Sequence, residues 1–214
     1  MDTITKFKQF LTEPRKAKEY TDIGFKQFML LLIIAVLCML PFTLLLSLLD
    51  VEDLGHIFEG LIKKNKWLFA VGGIILAPLM EEPIFRLHLN LKKSSIWWGL
   101  VLSLIIAFSD WFIGLAFMIY LVYLLIMISK KFTPNLKMVV YSSSAFFALI
   151  HLSNFTNFEF GNHFFLIPFL VGSQFIGGLI LSYIRLNHGI KWCILFHGAF
   201  NAVVIIPEVL FMEV

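Results

Sequence analysis

Charge is scarce in this chain. Across 214 residues, Asp, Glu, Lys and Arg make up 14%, where soluble domains carry about 25%. Cysteine is nearly absent, with Cys38 and Cys193 alone, which excludes a disulfide-built secreted scaffold. Low-complexity sequence is also lacking, and 24 Phe are incompatible with a disordered chain. The net charge of +3 is small and the basic residues are scattered, so no nucleic acid partner is expected. What the chain has in excess is apolar surface: 59% of residues are hydrophobic and the mean hydropathy is +0.88. A domain this small could not keep so much apolar surface from water. The chain therefore reads as an all-α membrane protein, a polytopic helical bundle whose surroundings are the lipid bilayer.

A spanning helix needs roughly 20 mostly apolar residues. Candidates are 27–49, 67–85, 94–129, 138–158, 160–184 and 192–207. The third stretch has 36 residues. As one helix it would be about 54 Å long, against a hydrocarbon core of about 30 Å. Asp110 would then lie near the bilayer centre, where a carboxylate is costly. A hairpin turning at Asp110 gives about seven transmembrane helices. With the N-terminus cytosolic, it puts 14 of the 17 basic residues inside and only Lys63, Lys64 and Lys66 outside. A single span would divide them 9 to 8.

Residues 1–26 read as a basic cytosolic segment, amphipathic or loose, bearing Lys6, Lys8, Arg15, Lys16, Lys18 and Lys26. No cleavable signal peptide is expected, because the apolar run is too long and no small-x-small site follows. Residues 27–214 form a single transmembrane domain with no linker. Thr133-Pro134 is the expected start of the helix leading to His151.

Ionisable residues inside spans are functional candidates by default. The second span ends in Glu81-Glu82-Pro83-Ile84-Phe85-Arg86, the fifth carries Phe147 and His151, and the seventh carries His197 and Asn201. In each, two marked residues stand four apart and share a helical face. Glu82 can pair with Arg86 along its own helix. Two carboxylates, two imidazoles and an amide facing one interior could hold a water and polarise a carbonyl, the equipment for hydrolysis without a nucleophilic side chain. Residue chemistry alone does not choose between Glu81 and Glu82 as the base; the pairing of Glu82 with Arg86 favours Glu81, because a carboxylate tied to a guanidinium is a poorer proton acceptor. Small residues of the sixth span (Gly172, Ser173, Gly177, Gly178, Ser182) suit close helix packing. Cys193, His197 and Asn201 are the residue types of a cysteine-protease triad. Along one helix, however, Cys193 and Asn201 are about 12 Å apart in rise, so they cannot form one. Cys193 is read as a packing residue, Asp110 as a turn residue and Glu208 as interfacial. His163 is assigned to the outer loop without a partner.

The three motifs in this order resemble the CPBP family of intramembrane proteases, which includes type II CAAX prenyl endopeptidases and bacterial bacteriocin-processing and self-immunity proteins. The signature Glu-Glu-x-x-x-Arg, Phe-x-x-x-His, His-x-x-x-Asn falls on Glu81, Glu82 and Arg86; Phe147 and His151; His197 and Asn201. Leu76-Ala77-Pro78 and the run from Gly178 to Tyr183 match the flanks, so the protease-like core spans about residues 67–203. Leu87 stands where the family usually has Gly, and 68 residues separate Glu82 from His151, with 94–129 as the expected inserted hairpin. The resemblance implies an intramembrane endopeptidase, in the cytoplasmic membrane of a bacterium, with its site facing the cytosolic side. It implies that Glu81 and His151 activate water, that His197 and Asn201 stabilise the oxyanion, and that Glu82 with Arg86 holds Glu81. The substrate would be a membrane-associated peptide or protein, a prenylated tail or a leader peptide. No cofactor is expected; the alternative is zinc held by Glu81, His151 and His197, although the His-Glu-x-x-His spacing is absent.

Two other classes compete. One is a catalytically silent immunity or interaction protein of the same fold. The other is a proton-coupled carrier relaying through Glu81 and His151, disfavoured by the absence of paired repeats and broken helices.

Overall fold

The structure is a computed structural model that describes residues 2–49 and 51–211. Asp50 and the last three residues of the expected 27–214 domain, and Met1 of the expected 1–26 segment, lie outside them. The elements are α1 (Thr3–Thr12), α2 (Phe25–Leu48), α3 (Ile57–Val71), α4 (Ala77–Arg86), α5 (Lys93–Ser109), α6 (Trp111–Ser129), α7 (Leu136–Ile150), α8 (Phe160–His163), α9 (Ile167–Leu170), α10 (Gly172–His188) and α11 (Ile190–Phe211). Among the described residues no strand occurs, and the architecture is an all-α polytopic bundle.

By length and composition, five helices can cross a membrane, and six if the bent pair Phe160–Leu170 and Gly172–His188 is one span. About seven were expected, and the seventh candidate is α5, whose apolar part Lys93–Phe108 is shorter than a full span. The hairpin at Asp110 is present. Its carboxylate caps α6 by accepting the Ile113 N–H at 2.9 Å. Gly114 lets the two helices close up, since a Cβ there would lie 2.6 Å from the Ala107 Cα. The hairpin packs on α4 and α7 through Phe117, whose ring lies 5.2 Å from both Phe85 and Phe146.

Three boundaries differ from expectation. The chain is non-helical at Asn65, whose side chain accepts the Leu68 N–H at 2.9 Å. Ile57 to Lys64 is thus a separate helix of about two turns, and the span starts just before Trp67. Helix α7 starts at Leu136 with Asn135 as its cap, not at Thr133-Pro134, because the Asn135 carboxamide satisfies the free N–H of Lys137. The sixth span breaks at Val171 with a 49° bend, where no broken helix was expected. There the Phe42 ring occupies the space that a side chain at Gly172 would fill.

One end of the bundle carries the basic connections Lys92–Lys93, Lys130–Lys131 and Lys191. The N-terminal segment is bound to that end, and α1 is amphipathic as expected. It buries Phe7 and Phe10 edge-on against Tyr183, at 5.6 and 5.3 Å, so its apolar face meets protein. Ala17 N–H donates to Leu186 O, Arg185 to the Tyr20 hydroxyl, Trp192 to Asp22 and the Tyr141 hydroxyl to Leu11 O. At the opposite end, 51–56 pairs with 154–157 through the His56–Phe155 bridge and Asn157 N–H to Leu54 O.

Candidate active site

Between α3 and α4 runs a π-helical stretch, Gly72–Leu76, in which the Ala77 N–H donates to Gly72 O. That bond takes the donor an α-helix would give to Gly73 O, and the next residue, Pro78, has no N–H. The orphaned Gly73 carbonyl is satisfied from α11: Asn201 Nδ2 donates to it at 2.7 Å. The two backbones meet closely here, since a Cβ on Gly198 would lie 2.8 Å from Ile74 O. The sequence Gly-Gly…Pro thus ties the motif helix to the His-x-x-x-Asn helix, and the flanking Pro78 acquires a physical role.

Glu82 is completely buried. His197 Nδ1 lies 2.8 Å from its Oε1 and the Cys193 thiol 2.7 Å from its Oε2. The expected Arg86 pairing is present but long, at 3.7 Å. Glu82 thus holds His197 more tightly than it holds Arg86, and nothing shows it holding Glu81. Because a carboxylate only accepts, His197 Nδ1 bears the proton and its Nε2 points onward, 3.9 Å from Glu81 Oε2.

Arg86 is also fully buried. Its guanidinium lies 4.6 Å over the Phe147 ring and donates to Ser143 Oγ at 3.3 Å. Gly178 leaves it room, as a Cβ there would sit 3.3 Å from Arg86 Nη2. Phe147 in turn stands edge-on to His151 at 4.9 Å and to His197 at 5.7 Å. The phenylalanine of the second motif is therefore the wall that spaces both imidazoles from the guanidinium. His151 donates Nδ1–H to Phe147 O at 2.7 Å, which leaves Nε2 as an acceptor.

Glu81 differs from its neighbour. It is partly exposed to a cavity of about 830 Å³, and its Oε2 has no hydrogen-bond partner among the described residues. The same cavity is lined by His151, His197 and Asn201. All six expected site residues thus come together: four face the cavity, and Glu82 and Arg86 stand behind them. Among the described residues no group of three or more His, Cys, Asp or Glu is placed to hold a metal ion.

Several residues were misjudged or missed from sequence. Cys193 is a partner of Glu82, and its position four before His197 was the available signal. His88, fully buried beside the Tyr120 hydroxyl at 3.4 Å, links the hairpin to the end of the motif helix. His163 does have a partner, the Glu159 N–H, and caps its own short helix. Of the small residues in the sixth span, Gly178 and Ser182 do pack α10 on α7, but Ser173, Gly177 and Gln174 line the cavity.

Glu81 lies closer to the basic end, but the exposed lining residues Leu61, Lys64, Asn65, Leu68 and Ser153 all belong to the opposite end of the bundle or to the half of the bundle nearest it.

The fold and site define a polytopic helical membrane protein with a buried glutamate–histidine centre. The family described as type II CAAX prenyl endopeptidase Rce1-like matches residues 63–203, and the chain belongs to that family. Neither the comparison with curated proteins nor that with solved structures gave a match. The family is a protease family whose members act on membrane-associated proteins.

Proposed function

We propose that the chain is an intramembrane endopeptidase of the glutamate type that cuts a membrane-associated peptide or protein, with the basic end of the bundle in the cytosol of a bacterium. Glu81 takes a proton from a water that also hydrogen-bonds His151 Nε2. The water oxygen attacks the scissile carbonyl carbon. The oxyanion forms beside His197 and the second N–H of Asn201, the first being used on Gly73 O. Glu81 then gives its proton to the leaving amide nitrogen as the C–N bond breaks, so no cofactor is consumed. Glu82 holds His197 as the imidazolium, with Nδ1–H on the carboxylate and Nε2–H directed at the oxyanion, as a buried carboxylate does for a catalytic imidazolium. Arg86 and Phe147 hold that assembly rigid.

The single observation that supports this reading most is that Glu81 lines a cavity shared with His151, His197 and Asn201 while its buried Oε2, 3.9 Å from His197 Nε2, has no hydrogen-bond partner among the described residues. A carboxylate in a silent binding protein would gain from a donor, and here none is supplied. The test is cleavage of a reporter membrane peptide, normalised to folded protein in detergent. Glu81→Gln keeps shape and is expected to cost 10²–10⁴-fold in rate, as loss of a general base does. His151→Ala should resemble it, and the double variant should add little, because groups acting as one unit are not additive. Wild-type turnover by Glu81→Gln would replace this reading with the silent interaction protein.

A further inference from the structure

Among the described residues of the 51–56 connection, His56 alone lines the cavity that holds Glu81. It caps α3: its Nδ1 accepts the Phe58 N–H at 3.3 Å, which satisfies one of the free donors of the first turn. The ring is gripped edge-on by Phe58 and Phe155, with centroids 4.3 and 5.2 Å away, and the bridge to Phe155 fixes its backbone. Burial outweighs the nearby Glu59 carboxylate and lowers the pKa of His56 below its ordinary value, so the ring is neutral at neutral pH. A neutral imidazole whose Nδ1 accepts carries its proton on Nε2. That Nε2–H has no hydrogen-bond partner among the described residues, although the ring is half-buried. His151 is the opposite case: its Nδ1 donates to Phe147 O, so its Nε2 accepts. One cavity therefore presents an imidazole acceptor at His151 and an imidazole donor at His56.

Resting on the endopeptidase reading above, we propose that His56 is a substrate-binding residue whose Nε2–H donates to a backbone carbonyl oxygen of the substrate peptide, about two residues from the bond that is cut. The spacing follows from the fold. His56 bridges to Phe155, and the turn from His151 to Asn154 is 3-10 helix. Four residues at about 2.0 Å of rise separate His151 from that bridge by about 8 Å. An extended peptide covers that distance in about two residues, at about 3.3–3.6 Å each. A neutral donor suits a neutral carbonyl, and it sets the register of the bound chain without requiring a particular side chain. The lining residues nearest in sequence to the two rings are Phe58, Phe147 and Ile150, which suit an apolar side chain on the substrate residue between them.

His56→Asn is the discriminating variant. Its carboxamide keeps the cap on the Phe58 N–H but is too short to put a donor where Nε2 stands, so the melting temperature in detergent should not change. Binding is read without cleavage: the full chain carrying Glu81→Gln, with and without His56→Asn, is titrated with a fluorescent form of the reporter membrane peptide in detergent. His56→Asn should weaken binding about fivefold, the scale of one neutral hydrogen bond. In chains that keep Glu81 it should raise KM by a similar factor and leave kcat unchanged, as loss of uniform binding does. An ester in place of the amide two residues from the cut, whose carbonyl is a weaker acceptor, should cost affinity in the His56 chain and little in His56→Asn. In the histidine nitrogen NMR spectrum of the Glu81→Gln chain, His56 should be the Nε2–H tautomer, and its Nε2 resonance should shift when the peptide is added. Equal affinity of the two Glu81→Gln chains, or no saturable binding to either, would overturn the proposal. So would an Nδ1–H tautomer, or a fall in kcat with KM unmoved. Affinity that depends on His56 without cleavage by the unsubstituted chain would overturn the endopeptidase reading and leave His56 a peptide-binding residue, so the two failures are distinct.

Discussion

Glu81 and Glu82 are neighbours on one helix, yet they stand in unlike regions of the molecule. A step of one residue turns about 100° around a helix, which sends Glu81 to the cavity and Glu82 into the packing between α4 and α11. The Glu82 region is full: two hydrogen-bond partners, a guanidinium and no exposure. The Glu81 region has space and a carboxylate oxygen without a donor. A charged group that is saturated holds structure, whereas one left unsatisfied beside space for water is available for chemistry. The contrast also explains why two carboxylates can coexist here: Glu82 is matched by Arg86 and His197, and Glu81 is left with access to water.

The contrast breaks most visibly if the buried side is emptied. Glu82→Gln leaves Arg86 buried without its counter-charge, a loss expected to cost about 3–5 kcal/mol. The yield of folded protein and its melting temperature in detergent should fall, and Glu81→Gln should leave both unchanged. Equal melting temperatures for the two variants would refute the distinction. On the cavity side, Asn201→Ala removes an oxyanion donor, expected to cost 10²–10³-fold in kcat. It also strands Gly73 O, so a modest loss of thermal stability should accompany it. A stability loss with full kcat would make Asn201 a helix tie alone. Smaller still is Cys193→Ala, which removes one donor to Glu82. A hydrogen bond of this kind contributes about 1 kcal/mol, and Cys193→Ser should restore what Cys193→Ala loses in melting temperature. The smallest effect expected is none at all: prolonged chelation should leave the rate of reporter cleavage unaltered. Loss of rate restored only by zinc would require Glu81, His151 and His197 to move together around a metal.

Much of the site was legible in one dimension because each motif pairs residues four apart, and a helix converts that spacing into a shared face. The hairpin was legible for a different reason: a 36-residue apolar run cannot fit across one bilayer as a single helix. The π-helical stretch was not legible. It depends on Pro78 withholding a donor and on a carboxamide from a helix more than a hundred residues away supplying one. The break at Val171 was likewise hidden, because it follows from the Phe42 ring of another helix lying against Gly172. Cys193 was misread because helical spacing says which residues share a face but not what lies opposite that face.

Sequence alone determined that the chain is a helical membrane protein, which motifs it bears, and that its basic residues gather at one end. These follow from composition and local spacing, since lipid demands apolar spans and internally bonded backbone. Only the tertiary structure decided which of two adjacent glutamates faces the cavity and what Phe147 separates. Those depend on contacts between helices distant in sequence, where a side chain's surroundings are set by packing and by the supply of hydrogen-bond donors.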